Sequence, residues 1–349
     1  MAVTIKEIAD ACGVSRGTVD RALHNRGRVQ PEVAERIRKV ADEMGYTINV
    51  SGRALAMTGK NITIGVVLQF AETPFMQKVR EGILEAESEI SQFGCRVDLC
   101  EIRGIDMDQT VRQMEILREK KVQSIAVVAG EDRALREEIN KCMDDGIGVI
   151  TLNSDLADSG RKCFVGQNAE TSGRMAAGLM GDLLRGSGRV LLFYGIAETS
   201  QGARVRGFRD VIERDYPGIT VTASCKTENN PKKLAEQLRG ILQKEQRPDG
   251  IYLCAEGAPE LAGCLRESGS TSEIRVITHD LAGCNPNDIA DRTIDYVIDD
   301  DGHRQGYLAV RLLFWWFYHQ KEPQDVFYAT DIRVISKYNM HWEEFVKMQ

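Results

Sequence analysis

Residues 13–27, GVSRGTVDRALHNRG, concentrate side chains that form hydrogen bonds with charged partners. The guanidinium groups of Arg16 and Arg21 can each pair with two acceptors at once, as on a guanine edge or a phosphate. Two residues of this stretch are unfavourable for a helix that binds an anion. Gly17 weakens a helix by about 1 kcal/mol relative to alanine, and the carboxylate of Asp20 repels phosphate. An anionic partner is therefore indicated, and it must accommodate Gly17 and Asp20.

Three short helices are predicted to position these side chains. Thr4 and Glu7 form a T-x-x-E capping box ahead of the first helix, and Gly13 ends that helix. The second helix begins at Ser15, a good N-cap, and the third begins at Pro31. This order, with a tight glycine-containing turn after the first helix, is typical of helix-turn-helix proteins, in which the second helix enters the DNA major groove.

The outward side of the second helix would then face the DNA. Arg16 or Arg21 would pair with guanine, while Gly17 and Asp20 share that side. Asp20 has two possible roles: it accepts a hydrogen bond from a cytosine amine, or it orients a neighbouring arginine through an ion pair. The residues expected to fix phosphates are Thr4, Ser15, Thr18 and Asn25. A small solvated helical bundle with surface arginines is the alternative.

The charge distribution separates the first 60 residues from the rest of the chain. Residues 1–60 hold ten Lys/Arg and seven Asp/Glu, a net charge of +3, which leaves −10 for the other residues of this 349-residue chain. A basic head on an acidic body indicates that only the head meets a polyanion. The length suggests two or three domains.

Cysteine usage and hydropathy predict the compartment. The nine cysteines are an odd number without a C-x-x-C pair, which argues against a zinc site and a disulfide framework. The N-terminus lacks the apolar core of a signal peptide, and no apolar run approaches the ~20 residues of a membrane span. We expect a cytoplasmic protein with no membrane partner.

The head resembles the DNA-binding headpiece of the lactose-repressor (LacI/GalR) family. The matching features are the T-I-x-x-I-A opening, A-x-x-G-V-S, the T-V-x-R-x-L run and the final G-Y, over roughly 45 residues. The resemblance implies a headpiece at 1–48 and a hinge helix or linker at 49–60. In that family the hinge leucine wedges into the minor groove, which implies this role for Leu55, flanked by Arg53. Ile48, where proline is frequent, and Gly52 depart from the pattern.

Beyond residue 60, strand-like apolar runs alternate with helical patterns. This β-α-β repetition predicts an α/β fold with mostly parallel sheets, and about ten strands favour two similar lobes. The predicted strands lie at 62–69, 95–102, 124–130, 146–152, 189–195, 218–225, 250–255 and 275–280. The predicted helices lie at 75–93, 107–119, 132–144, 170–185, 202–214, 231–245 and 257–268.

This body resembles the ribose/galactose type of periplasmic-binding-protein fold (type I). The matching stretches are TPFMQKVREGILEAESEISQFGCRV, GVITLNSDL, GIAETSQGARVRGF and VITHD. The resemblance implies an effector-binding and dimerisation domain at 61–340. Lobe one would comprise about 61–166 and 301–326, and lobe two about 167–300 and 327–340. Three chain crossings between the lobes would form a hinge that allows closure around a ligand.

Polar loops follow the predicted strands, where such sheets bind ligands. The resemblance implies sugar contacts for Arg206, Asp280 and Asp300 (Asp299 is the alternative), and ring packing for Phe75. The expected ligand-binding residues are Thr73, Phe75, Asn153, Ser154, Asp155, Arg206, Glu256, Asp280 and Asp300. The alternative is that these polar residues only form turns and N-caps, which any one of them does about half the time.

Two departures from the binding-protein pattern bear on the ligand. Asn153-Ser154 replaces a usual Asp-Arg pair, and the second ring-packing aromatic, expected at 228–230, is missing. The acidic set Asp155, Glu256, Asp280 and Asp300 favours a polyol or an amine-bearing ligand over a plain hexose or pentose.

Catalysis is not expected. G-x-G at 186–188 precedes a strand instead of following one, and neither a P-loop nor a G-x-S-x-G elbow occurs. The five histidines lack metal-ligand spacing, and His279 at a strand end favours a structural role. We predict no catalytic residue, metal or cofactor.

The sequence predicts a homodimeric repressor that binds a pseudo-palindromic operator in double-stranded DNA and responds to a small, carbohydrate-like effector. An activator or dual regulator of the same build, with a non-sugar effector or none, is the alternative. A transport-binding protein would fit the body alone.

Overall fold

The computed structural model describes residues 3–23, 29–44, 62–197 and 199–340, without the side chains of Asp20 and Asp42. No helix among these residues is long and apolar enough to cross a membrane.

The head contains three helices: α1 (Ile5–Cys12), α2 (Arg16–Leu23) and α3 (Pro31–Glu43). The predicted capping box is present, since the Thr4 hydroxyl accepts a hydrogen bond from the Glu7 amide and the Glu7 carboxylate accepts one from the Thr4 amide. Gly13 ends α1 with a φ of 64°, a left-handed conformation that suits glycine. The apolar sides of the helices pack into one small core of Ile8, Ala9, Cys12, Val19, Ala22, Ala34, Ile37 and Ala41.

Lobe one is built on a parallel six-stranded sheet with the order β11-β5-β4-β3-β1-β2. Its strands are β1 (Ile62–Leu68), β2 (Cys95–Glu101), β3 (Ser124–Val127), β4 (Gly148–Leu152), β5 (Phe164–Gly166) and β11 (Phe327–Ala329). Its helices are α4 (Pro74–Ser91), α5 (Met107–Glu119), α6 (Arg133–Asp144) and α12 (Gly302–His319). Helices α4 and α12 cover one face of the sheet, and α5 and α6 cover the other.

Lobe two repeats this plan with the strand order β12-β10-β9-β8-β6-β7. Its strands are β6 (Ser187–Tyr194), β7 (Gly218–Lys226), β8 (Gly250–Leu253), β9 (Arg275–His279), β10 (Tyr296–Asp299) and β12 (Arg333–Ile335). Its helices are α7 (Ala169–Leu183), α8 (Ser200–Asp215), α9 (Pro231–Leu242), α10 (Ala258–Glu267) and α11 (Pro286–Ala290). Strand β12 is antiparallel to β10, an exception to the parallel pairing of this sheet.

The described chain crosses between the lobes three times, after β5, after β10 and after β11. The last crossing differs from the expectation. Residues 327–340 were assigned to lobe two, but Phe327–Ala329 pair with β5 in lobe one. The Phe327 ring stacks on Phe164 with centroids 5.3 Å apart, which holds β11 in the first sheet. The crossing to β12 therefore follows Ala329.

Candidate functional site

A cavity of about 60 Å³ lies between the lobes, at the carboxyl ends of the strands. Seven of the nine predicted ligand-binding residues line it, namely Thr73, Phe75, Asn153, Ser154, Glu256, Asp280 and Asp300. Its other polar lining includes Gln69, Thr199, Gln201, Arg204 and Asn229. We call this space the inner cavity.

Arg204 is the charged residue of the inner cavity that sequence reasoning missed. It lies on α8 and is 3% exposed, and its guanidinium forms an ion pair with Asp300, which is 2% exposed. Close helix packing fixes its position. A Cβ on Gly173 of α7 would overlap the carbonyl oxygen of Arg204, and one on Gly207 would overlap that of Glu170. Glycine at both contacts lets α7 and α8 approach closely, and this orients Arg204 inward.

Asp300 stays ionised beside Arg204. Burial alone would raise the pKa of Asp300, but the guanidinium of Arg204 lowers that pKa below its ordinary value. Its Oδ1 atom is buried and has no hydrogen-bond partner among the described residues, while Oδ2 pairs with Arg204. Asp299, the alternative candidate, instead pairs with Arg333 and does not line the inner cavity.

Asp280 follows β9 and adopts a left-handed backbone with a φ of 64°, which is uncommon outside glycine. Its Oδ1 atom is buried and lacks a hydrogen-bond partner in the described part of the chain. Burial raises the pKa of Asp280 well above its ordinary value, and Arg204 only partly opposes this. A buried carboxyl without a partner is costly, so Asp280 is a group that a ligand can satisfy.

His279 is buried at the end of β9, beside Asp300. Its Nε2 is 2.8 Å from the buried hydroxyl of Tyr252. Its Nδ1 lies 3.6 Å from Asp300 Oδ1, too long for a hydrogen bond. Burial and the nearby charge of Arg204 lower the pKa of His279 to about 4, so the imidazole is neutral at neutral pH.

Lobe one contributes aromatic and amide groups. Phe75 is buried near the start of α4, whose N-cap is Thr73. Asn153 follows β4 with a φ of 62°, and its amide donates to Gln305 Oε1 at 3.4 Å. Gln305 in turn donates to the Asp300 carbonyl at 2.9 Å. This chain of contacts joins the lobe-one strand ends to the second crossing segment.

Residues 228–230 supply no ring to the inner cavity, as their sequence indicated, and the aromatic residues of its lining, Phe70 and Phe75, come from lobe one. Asn229 lines the cavity instead and accepts a hydrogen bond of 2.9 Å from Gln201. Gln201 Oε1 also accepts from the Gly195 amide at 2.6 Å, which fixes the loop after β6. The amide pair therefore presents hydrogen-bonding groups where a ring was expected.

Two predicted residues, Arg206 and Asp155, lie elsewhere. They line a second space between the lobes, of about 520 Å³, which we call the outer cavity. Arg206 is exposed because it lies two positions beyond Arg204 on α8, and thus on another side of the helix. Asp155 is engaged by Arg161 at 2.5 Å. Arg206 and Asp155 therefore do not line the inner cavity, where Arg204 supplies the guanidinium.

A larger groove of about 1230 Å³ lies on lobe one, lined by Gly148, Leu313 and Trp316 among others. It is at the amino ends of β3 and β4, opposite the carboxyl ends that carry the polar loops. The inner cavity is the better candidate because it lies at the carboxyl ends of the strands and is lined by buried carboxyl groups with oxygens that lack partners among the described residues, whereas the groove has one such atom, the hydroxyl oxygen of Ser124.

The head presents the predicted DNA-facing residues at its surface. Arg16, Gly17 and Arg21 are exposed on α2. Ser15 caps α2, since its hydroxyl accepts from the Thr18 amide at 3.1 Å and lies 2.9 Å from the Thr18 hydroxyl. Thr4 is occupied by the capping box of α1. The predicted Asn25, Arg53 and Leu55, and the side chain of Asp20, lie outside the described residues.

Both regions match known families. Residues 64–314 match the periplasmic binding protein domain, and residues 4–49 match the bacterial regulatory proteins of the lacI family. The chain therefore belongs, over its body, to the periplasmic binding protein domain family, and it carries a helix-turn-helix domain of the lacI family as its head.

Relatives and solved structures agree with this division. The HTH-type transcriptional regulator DegA of Bacillus subtilis is 29% identical over 157 residues, 44% of this chain and 45% of that protein. The chain thus spans less than half the length of this first relative. The ribose operon repressor of Escherichia coli is 24% identical over 71% of this chain and 73% of its own. A solute-binding protein of Burkholderia graminis, solved with D-arabinose, has a TM-score of 0.75 at 24% identity, over 81% of this chain and 98% of that chain.

Proposed function

We propose that this protein is a transcriptional repressor whose affinity for operator DNA is controlled by a small polar, carbohydrate-like ligand bound between the lobes. One observation carries the proposal: the chain joins a helix-turn-helix head to a two-lobed body whose inner cavity holds buried polar atoms that lack partners among the described residues. The relatives' names, which include transcriptional regulators and repressors, support it.

Helix α2 is proposed to be the helix that contacts the bases of the DNA. Arg16 or Arg21 would contact guanine or phosphate, and Thr4, Ser15, Thr18 and Asn25 would contact phosphates. A Cβ on Gly17 would meet nothing nearer than 3.8 Å, so the fold itself tolerates alanine there. Glycine at this exposed position lowers helix stability, and no packing contact requires it. We therefore infer that glycine is present so that a partner can approach the helix closely. Asp20 would orient an arginine or accept from cytosine.

The residues proposed to bind the effector are those of the inner cavity. Asp280, Asp300 and Arg204 supply the charged groups, and Asn153, Gln201 and Asn229 supply amides. Phe75 offers an apolar face, while Thr73, Ser154 and Glu256 complete the lining. Since both lobes contribute, ligand binding favours their closure over an open form.

Closure would alter the DNA affinity through the three crossing segments. Gln167, after the first crossing, donates to the Asp299 carbonyl at 3.1 Å and to the Asp331 carbonyl at 3.2 Å, which ties all three together. Coupling of about 1–3 kcal/mol would change operator affinity roughly 5- to 150-fold. Arg53 and Leu55 would transmit the change as hinge residues in a cytoplasmic homodimer on a pseudo-palindromic operator.

The DNA arm of the proposal is tested by selecting an operator in vitro and measuring its affinity against salt. Affinity should fall steeply with salt, because phosphate contacts release counterions. Arg16→Ala should weaken binding at least tenfold. Arg133→Ala, which removes a body arginine that is 88% exposed, is the matched control. Salt-independent affinity, or equal effects of both variants, would contradict DNA reading by α2.

The ligand arm is tested by a thermal-shift screen of the full chain against sugars, polyols, amino sugars and sugar phosphates. At least one class should raise the unfolding temperature, and Asp280→Ala should abolish that rise. The same compound should change operator affinity. A compound that stabilises Asp280→Ala equally would remove Asp280 from the site.

A further inference from the structure

The inner cavity carries an unbalanced set of charged groups. Among the described residues, three carboxyl groups line it, those of Glu256, Asp280 and Asp300, against one guanidinium, that of Arg204. The ion pair with Asp300 uses that guanidinium. In the described part of the lining, Asp280 therefore shares the charge of Arg204 with Asp300, and Glu256 forms no ion pair.

A second, independent observation indicates a ligand at this acidic cluster. Asp280 Oδ1 and Asp300 Oδ1 are buried acceptors without hydrogen-bond partners in the described ranges, and Arg204 Nε is a buried donor without an acceptor there. Because buried polar groups are normally satisfied, a ligand that donates to Asp280 Oδ1 and accepts from Arg204 Nε would complete this site, while Asp300 Oδ1 lies 3.6 Å from the unpartnered Nδ1 of His279. A hydroxylated molecule has both capacities.

A neutral polyol would satisfy these hydrogen bonds but not the charge. Burial raises the pKa of Asp280, and Asp300, Glu256 and Asp299 add to that rise, while Arg204, which is paired with Asp300, only partly opposes it. Glu256 is in the same position, because burial, Glu260 and Glu72 raise its pKa. A protonated amine on the ligand supplies three donors and the missing positive charge at once.

We propose that the effector is an aminated carbohydrate or polyol, with its ammonium group toward Asp280 and Glu256 and a neighbouring hydroxyl toward Arg204. This inference rests on the proposed carbohydrate-like effector and deepens it. The amide pair Gln201–Asn229 fits the same ligand, since it offers hydrogen bonds in place of an aromatic ring.

Matched ligand pairs test the amine directly. The probes are glucose, galactose, mannose and glucitol, each beside its counterpart with one hydroxyl replaced by an amino group, and beside the N-acetylated form of that amine. Calorimetry on the full chain at neutral pH measures each affinity. At least one amine should bind tenfold or more tighter than its hydroxyl counterpart, and its N-acetyl form should lose that gain because the charge is gone.

Variants assign the preference to the cavity. Asp280→Asn keeps the side-chain shape and should reduce the amine-to-hydroxyl affinity ratio below threefold, and Glu256→Gln should reduce it by less. Glu267→Gln removes an exposed lobe-two carboxylate that pairs with Arg239, and it should leave the ratio unchanged. The thermal unfolding of each unligated variant establishes that it is folded.

The outcomes separate this inference from the proposed function. Neutral members that bind as tightly as their amines, or more tightly, overturn the amine proposal and leave a carbohydrate-responsive regulator standing. An N-acetyl form that matches its amine overturns it as well. If no probe binds, the amine proposal is overturned, while operator binding and the wider ligand screen judge the proposed function separately.

Discussion

The inner and outer cavities lie side by side between the same two lobes, yet the carboxyl groups that line them differ in how they are paired. They share Asn153, Ser154, Thr199 and Ser200 in their linings. In the inner cavity, Asp280 and Asp300 are buried and each leaves a carboxyl oxygen without a partner among the described residues. In the outer cavity the carboxylates of Asp155 and Glu170 are paired with arginines.

The difference shows how a short step along the chain changes the environment of a side chain. Arg204 and Arg206 are two positions apart on α8, about 200° around the helix at 3.6 residues per turn. Arg204 is buried against Asp300, and Arg206 faces the outer cavity. At the end of β4, Ser154 lines both cavities, whereas Asp155 lines the outer one and not the inner one. Substitutions at such neighbouring positions should therefore have unequal effects.

Arg204→Ala should have the largest effect on stability. It leaves the buried carboxylate of Asp300 without its partner, and breaking a buried ion pair in this way costs about 3–5 kcal/mol. The urea-unfolding midpoint measures the loss. The double variant Arg204→Met with Asp300→Met should recover most of it, because no charge then remains unpaired. A single variant that loses less than 1 kcal/mol would contradict the pairing.

The pH dependence of stability should report on His279. Folding lowers its pKa from 6.5 to about 4, so its contribution is complete above pH 6.5 and is lost as the pH falls through about 4. At 1.36 kcal/mol per pKa unit the loss is about 3 kcal/mol. The raised pKa of Asp280 acts in the opposite sense, since its protonation favours the folded state at lower pH.

The measurement therefore uses Asp280→Asn as the background. Its free energy of unfolding should fall between pH 7.5 and pH 4 by about 3 kcal/mol more than that of Asp280→Asn with His279→Gln. Equal pH profiles of the two variants would mean that His279 is not held neutral in the folded protein.

The helix packing behind the inner cavity should be sensitive at one glycine of α7 and tolerant at another. Gly173→Ala places a methyl group against the backbone of Arg204, and such overpacking costs about 1–3 kcal/mol. Gly178→Ala meets no atom within 4 Å and should stabilise the protein by about 0.5–1 kcal/mol. Thermal unfolding of the pair compares them within one helix. A stabilising Gly173→Ala would contradict the close contact of α7 with α8.

Much of the fold could be predicted because long periodic segments determine their own structure. The helix predicted at 107–119 has those bounds, and the strand predicted at 62–69 forms at Ile62–Leu68. The short strands β5, β11 and β12 were not predicted, since three residues are too few to show a period. Their positions are set by partners far along the chain, as when Phe327 stacks on Phe164.

The candidate site was predictable where a residue directly follows a strand, because chain direction alone carries Asn153 and Asp280 to the strand ends. It was less predictable on α8. The family resemblance indicated a ligand-binding arginine in GARVRGF and pointed to Arg206. Which of Arg204 and Arg206 lines the inner cavity depends on the rotation of α8 about its axis. The glycine contacts at Gly173 and Gly207 set that rotation. They involve two helices, so no local pattern reports them.

Arg206→Ala should have the smallest effect, and it provides the sharpest test of the two-cavity comparison. Arg206 is exposed and forms no ion pair within the part of the chain that the structure describes, so its removal should change stability by less than about 0.5 kcal/mol. Affinity for the ligand found in the screen should change less than twofold, whereas Arg204→Lys, which keeps the charge but loses the planar fork, should weaken it at least tenfold. Comparable losses from both variants would mean that the ligand spans both cavities. The boundary between them would then lie within one binding site.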